Sequence, residues 1–238
     1  QIFFDWFHFL ADGRGGSQLM TLVLKLYCNL RYGTAFACEP LVSDPPYDIE
    51  DILARYPESQ VENDMQKEVT QISEEKPQLV RVRLDKRSLL DAALPLGIKP
   101  FSALMALFCK AGREYFGRDD LRYNYSTDAR DAMGTPKALF NCVASFQRPI
   151  TVTEADTLAT LVPGVEADIR HNLTKEPKLF RVAEQMGWVY QVYRQRASLK
   201  IKKRVFQMGE YISGFPSDFW VSYQGDPFAV SYTHLTLP

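Results

Sequence analysis

The stretch Phe7-His8-Phe9-Leu10-Ala11-Asp12-Gly13-Arg14-Gly15-Gly16 decides how the chain is read. A histidine is followed four positions later by an aspartate, and then by glycines. Upstream, Gln1 to Phe7 is rich in aromatic and β-branched residues and predicts a buried strand. Downstream, Leu19, Leu22, Val23, Leu26, Tyr27 and Leu30 recur at helical spacing, with Ser17 as the expected N-cap and Gly33 as the terminator. The glycines at 13, 15 and 16 are expected to form the turn between strand and helix. His8 therefore lies at a strand–loop–helix junction, where a side chain can project into a cleft rather than into the core.

Neutral imidazole accepts a proton near pH 7 without a large pKa shift. His8 is thus a candidate general base, able to take the proton of a hydroxyl or amine as it attacks a carbonyl. Such help is worth about a hundred- to ten-thousand-fold in rate. Asp12 either orients the imidazole, as a triad aspartate does, or braces the loop through an ion pair and backbone hydrogen bonds. Spacing alone leaves both roles open, and it leaves open a packed or surface histidine with no chemistry. No third His or Cys stands nearby to complete a metal site, so no metal is expected. The glycines lack the Lys-Ser/Thr of a P-loop, and neither GxGxxG nor GxSxG occurs.

The 238 residues are 46% hydrophobic, enough to fill one large or two small cores. A net charge of -1 gives no global basic field for nucleic acid. No apolar run is long enough to span a membrane. Cys28, Cys38, Cys109 and Cys142 are scattered without a CxxC and predict reduced core thiols in a cytoplasmic protein. The first residue is not Met, and residues 230–238 resemble translated sequencing-adapter sequence, which is set aside from the fold as a non-native tail.

Residues 41–76 carry ten carboxylates against three basic residues and predict a solvated crossover with one or two short helices. Alternation predicts strands over 79–84 and 121–128, then over about 139–150 after a polar turn at 131–136. Helices are expected over 86–96 (capped by Asp85 and closed by Gly97), 100–116 (ending at Gly117), 154–174 and 178–199, with a last strand over 219–223. Strands and helices alternate, so the class is α/β or α+β. Between Pro177 and Gly209 eight basic residues face the single acid Glu184, a solvated helix face or an anion-binding one.

His8-Phe9-Leu10-Ala11-Asp12-Gly13 resembles the HxxxDG motif of the CoA-dependent acyltransferase superfamily, which includes chloramphenicol acetyltransferase, alcohol acetyltransferases, polyketide-associated acyltransferases and non-ribosomal peptide condensation domains. Other stretches fall in family order. Tyr123 to Arg130 is similar to a strand ending in "vDxR", Asn141-Cys142-Val143 to "GN-x-V", and Trp220 to Gly225 to "vSNxG". The resemblance runs over roughly 1–227 and is closest to bacterial alcohol acetyltransferase-like members. There are departures. Phe7 stands where condensation domains carry a first histidine, Tyr223 replaces the asparagine of "SNxG", and no DFGWG is found.

The resemblance implies two α/β sandwich lobes of the chloramphenicol acetyltransferase-like fold with a channel between them, truncated here at both ends. Residues 1–40 would end the N-terminal lobe, 41–76 would form the acidic linker, and 77–229 would be the incomplete C-terminal lobe. It implies acyl transfer, in the first instance of acetyl, from acyl-CoA as co-substrate to a small-molecule alcohol, with no tightly bound cofactor. His8 would deprotonate the alcohol for direct attack on the thioester. Asp12 would be structural and paired to an arginine, and Gly13 would let the backbone approach the channel. Arg130 is the candidate site-lining arginine, and Ser222 the candidate donor to the oxyanion. Lys200, Lys202 and Lys203 would meet CoA phosphates. The implied partners are acceptor, donor and the missing remainder of the chain. Two alternatives remain: a condensation-type domain using carrier-bound donors, and a catalytically degenerate binding module of the same fold.

Overall fold

The computed structural model describes residues 11–57, 85–212 and 217–222. The expectations for His8, for strands over 1–7 and 79–84, and for the 230–238 tail lie outside the described residues. In chain order the described elements are α1 (Gly13–Tyr32), α2 (Ile49–Arg55), α3 (Lys86–Ala93) with a 3-10 turn (Leu94–Leu96), α4 (Pro100–Phe116) and β1 (Asp120–Asp128). There follow α5 (Arg130–Met133), β2 (Val143–Thr151), α6 (Leu158–Asn172), α7 (Lys175–Arg194), α8 (Leu199–Ile212) and β3 (Phe219–Ser222). The class is mixed α and β, with many helices around one small sheet. Among the described residues no helix is long and apolar enough to cross a membrane.

The sheet order is β2-β1-β3. β1 runs antiparallel to β2, with Tyr125 opposite Phe146 and Ser126 opposite Ser145. It runs parallel to β3, with Tyr123 beside Phe219 and Ser126 beside Ser222. The two-residue period of the strands sorts the side chains onto two faces. Leu121, Tyr123, Tyr125 and Phe146 enter the core with Met105, Ala106 and Cys109 of α4 and Leu161, Val165 and Ile169 of α6. Their rings stack, Tyr125 on Phe146 at 5.6 Å and Tyr123 on Phe219 at 6.3 Å. The opposite face carries Ser126, Ser145, Trp220 and Ser222, and it forms the floor of a cleft.

Several elements differ from the sequence expectation. The glycines at 13, 15 and 16 do not form a turn between elements; they are the first turn of α1. The N-cap is Asp12, whose side chain accepts from the Gly15 amide, and not Ser17. Ser17 lies inside the helix, where its hydroxyl donates to the Gly13 carbonyl at 2.6 Å. The polar turn at 131–136 opens as the helical turn α5, and β2 begins only at Val143. The helix expected over 154–174 starts at Leu158 behind a capping box at Thr157. The helix expected over 178–199 ends at Arg194, and the basic run from Lys200 sits on a separate helix, α8. Gly33, Gly97 and Gly117 terminate their helices in the left-handed conformation, as expected. All four cysteines are free thiols; Cys109 and Cys142 are buried, whereas Cys28 and Cys38 are half-buried.

Candidate active site

The corner at the start of α1 is built around one buried ion pair. Asp12 and Arg130 are 2% and 1% exposed. The two meet as a fork on a fork: Arg130 Nη2 donates to Asp12 Oδ1 and Nη1 to Asp12 Oδ2, both at 2.8 Å. The second lone pair on each carboxylate oxygen is also used. Oδ1 accepts from the Gly15 amide and Oδ2 from the Cys142 amide, each at 2.9 Å. Asp12 is therefore saturated. It has no accepting site left for an imidazole, so of its two candidate roles the geometry selects the brace.

Arg130 is equally complete. Its remaining N–H groups donate to the Ala138 carbonyl at 2.8 Å, the Phe140 carbonyl at 2.9 Å and Asp128 Oδ1 at 2.9 Å. All five donors of the guanidinium are engaged. Arg14 pairs with the other oxygen of Asp128 from the first turn of α1. Burial by itself would raise the carboxyls of Asp12 and Asp128, but the hydrogen bonds and charges around them outweigh it, Arg130 foremost for Asp12 and Arg14 foremost for Asp128. Both sit below the usual carboxylate range. Burial would lower Arg130, and the two carboxylates raise it instead.

Backbone contact completes the corner. A Cβ on Gly15 would stand 2.0 Å from the Leu139 carbonyl oxygen, so α1 can lie against the 138–142 loop only because Gly15 has no side chain. This approach of backbone to backbone at Gly15 was not anticipated from the sequence; Gly13, expected to face the channel, lines the cleft. The loop is pinned from behind, where the Leu139 amide donates to Ser43 Oγ at 3.1 Å and the Lys137 amide to Asp44 at 2.6 Å.

This corner borders a cleft of about 2270 Å³. Asp12, Gly13, Arg130, Ser222, Lys202 and Lys203 all line it. Lys200 is exposed and does not. One wall is a mainly polar face of α1, where Ser17, Gln18, Thr21 and Lys25 surround Leu22. The facing wall is α7, which presents Val182, Met186, Val189, Tyr190 and Tyr193. The floor is the polar face of the sheet. There Trp220 Nε1 donates to Ser126 Oγ at 3.0 Å, and the Ser126 and Ser145 hydroxyls lie 3.2 Å apart. Ser222 makes no hydrogen bond through its hydroxyl among the described residues and faces the cleft. Tyr47, on the rear wall beside Phe140, has its phenol pushed up to about 12 by burial and stays neutral. Cys142 is pushed up to about 11 by burial, against the pull of Arg130, and is no nucleophile at neutral pH.

Sequence reasoning missed Arg14, Gln185 and the serine pair at 126 and 145. Only their strand parity with Ser222 signalled the serines, and nothing in the spacing joined Arg14 to Asp128. Among the described residues no cluster of His, Cys, Asp and Glu is placed to hold a metal.

No protein-family profile matches the chain, and no curated protein matches it. Among solved structures, polyketide synthase associated protein 5 from Mycobacterium tuberculosis is similar at 17% sequence identity and a TM-score of 0.47. The match covers 74% of this chain and 48% of that one, so the chain spans about half the length of that neighbour.

Proposed function

We propose that the chain is the catalytic portion of an acyltransferase of the chloramphenicol acetyltransferase-like fold, moving an acyl group from CoA to an alcohol. The observation that carries this reading is the saturated Asp12–Arg130 clamp. It fixes the Asp-Gly half of the HxxxDG motif at the edge of a cleft large enough for two substrates. In this reading His8, covalently tethered four residues before Asp12, takes the proton of the acceptor hydroxyl. The oxygen attacks the thioester carbonyl, and the tetrahedral oxyanion collapses with release of the CoA thiolate, which recovers the proton from His8. Ser222 supplies a hydroxyl for the oxyanion. The aspartate holds the corner and takes no proton.

His8→Ala in the full-length protein tests this. The expected result is a fall in acetyl transfer of about a hundred- to ten-thousand-fold with an unchanged melting curve. Unchanged turnover removes His8 as the base and the reading with it.

A further inference from the structure

The side of α8 turned away from α7 carries charge that the rest of the fold does not use. Residues 185–209 hold six basic residues and no acid. Two of the six are engaged. Arg194 lies over the Tyr190 ring, with Glu50 3.9 Å away. The Lys202 ammonium donates to the Tyr193 carbonyl and sits 5.2 Å from the centre of the Tyr193 ring. The other four, Arg196, Lys200, Lys203 and Arg204, are exposed and make no hydrogen bond or ion pair among the described residues. Helical geometry gathers three of them. Lys200, Lys203 and Arg204 stand at three- and four-residue spacing on one outward arc, while Lys202 turns back to α7. Ile201 and Val205 adjoin that arc, and they are 53% and 38% exposed.

This arrangement works against the helix that carries it. The first turn of α8 holds no acid. Lys200 and Lys202 stand there instead, at the positive end of the helix dipole. Like charges at three- and four-residue spacing repel as well. An anionic surface laid on the arc offsets both effects. Its chemistry is narrowed by the two aliphatic side chains. A phosphate backbone or a row of carboxylates meets the cations but leaves Ile201 and Val205 in water. The headgroup region of a bilayer takes both, cations at the phosphates and aliphatic side chains just beneath them. We infer that α8 lies on an anionic lipid surface, with Arg196, Lys200, Lys203 and Arg204 at the lipid phosphates and the edge formed by Ile201 and Val205 dipped between the headgroups. The binding is peripheral and reversible, and it stands or falls separately from acyl transfer.

The test is co-sedimentation of the full-length protein with vesicles of phosphatidylcholine, alone or mixed with equal parts of phosphatidylglycerol. The expected result is binding to the mixed vesicles at least about tenfold tighter than to the neutral ones, fading as added salt shortens the screening length. Each Lys or Arg beside an anionic leaflet strengthens binding about fivefold. Arg196→Ala, Lys200→Ala and Arg204→Ala combined should therefore weaken it about a hundredfold. Arg196→Lys with Arg204→Lys keeps the charge and should bind as the parent does. Ile201→Ser should weaken binding at least about fivefold and leave its salt dependence unchanged. Equal binding to the two kinds of vesicle overturns the inference, and so does a triple variant that binds like the parent. If Ile201→Ser binds like the parent, the charges adsorb without insertion, and the inference fails as stated. Tighter binding to a DNA duplex or to polyglutamate than to the mixed vesicles gives the arc to nucleic acid or to an acidic protein and overturns it. Displacement from the vesicles by free CoA gives the cations to the donor and overturns it too. Dimerisation that Ile201→Ser abolishes assigns the face to a second copy of the chain, with the same consequence.

Discussion

At the scale of single residues, Asp12 and Arg130 have every acceptor and donor occupied, and both are out of water. Removing either one strands a charge and several backbone groups. Asp12→Ala and Arg130→Ala should each cost about 3–5 kcal/mol in chemical denaturation. Arg130→Lys should recover little, because an ammonium cannot span two carboxylates and two carbonyls in one plane. The sign with pH follows from the lowered carboxyls. A group whose folded pKa lies below its unfolded value stabilises fully above the unfolded value, near about pH 4. That contribution is lost as pH falls through the lowered folded value. Acid unfolding should therefore steepen below about pH 4, and Asp12→Asn should flatten it; an unaltered acid limb would contradict the clamp.

At the scale of elements, α1 is set by what its first turn touches. Replacing a helical glycine with alanine ordinarily stabilises by about 1 kcal/mol. A Cβ added at Gly164 in α6 would meet nothing within 4 Å, so Gly164→Ala should stabilise by that order. Gly15→Ala should reverse the sign and cost about 1–3 kcal/mol, because the new methyl would meet the Leu139 backbone. Melting temperatures of the two variants against the parent check both. The same contrast explains what the sequence could and could not say. Helix terminators at Gly33, Gly97 and Gly117, the period of β1 and the apolar run of α4 are local signals, and local physics reads them. Glycines 13, 15 and 16 have the same local signal as a turn. Their place at the head of α1 follows from the Asp12 cap, a local signal passed over in favour of Ser17, whereas the packing of Gly15 against Leu139, far along the chain, is carried by no periodicity. Likewise the resemblance gave Asp12 an arginine, but only the folded chain shows that the arginine and two amides leave the carboxylate nothing to share. The α7 stripe was legible as a helix, while its direction into the cleft depends on where β2 lies.

At the scale of the whole molecule, α1 has two faces of different kinds. One lines the cleft. The other, about a third of a turn round, exposes Leu19, Leu26 and Leu30, the last 88% exposed, with Tyr27 beside them. A contiguous apolar strip of this kind on a single helix promotes association. The 238-residue chain expressed alone should aggregate. Leu26→Lys with Leu30→Glu should raise the soluble fraction several-fold in sedimentation, without altering the Asp12 corner. Equal solubility of variant and parent would show that the strip is not what drives association.

The clamp also bears on the order in which the molecule comes together. Asp12 joins Arg130 across 118 positions and Cys142 across 130. Closing a loop of that length costs about 4 kcal/mol of chain entropy before any contact compensates it. A nascent chain can wind α1 early, but it cannot seat that helix until β1, α5 and the head of β2 have emerged and collapsed. The Asp12 corner thus closes only once synthesis has passed Cys142, and until then α1 waits unseated.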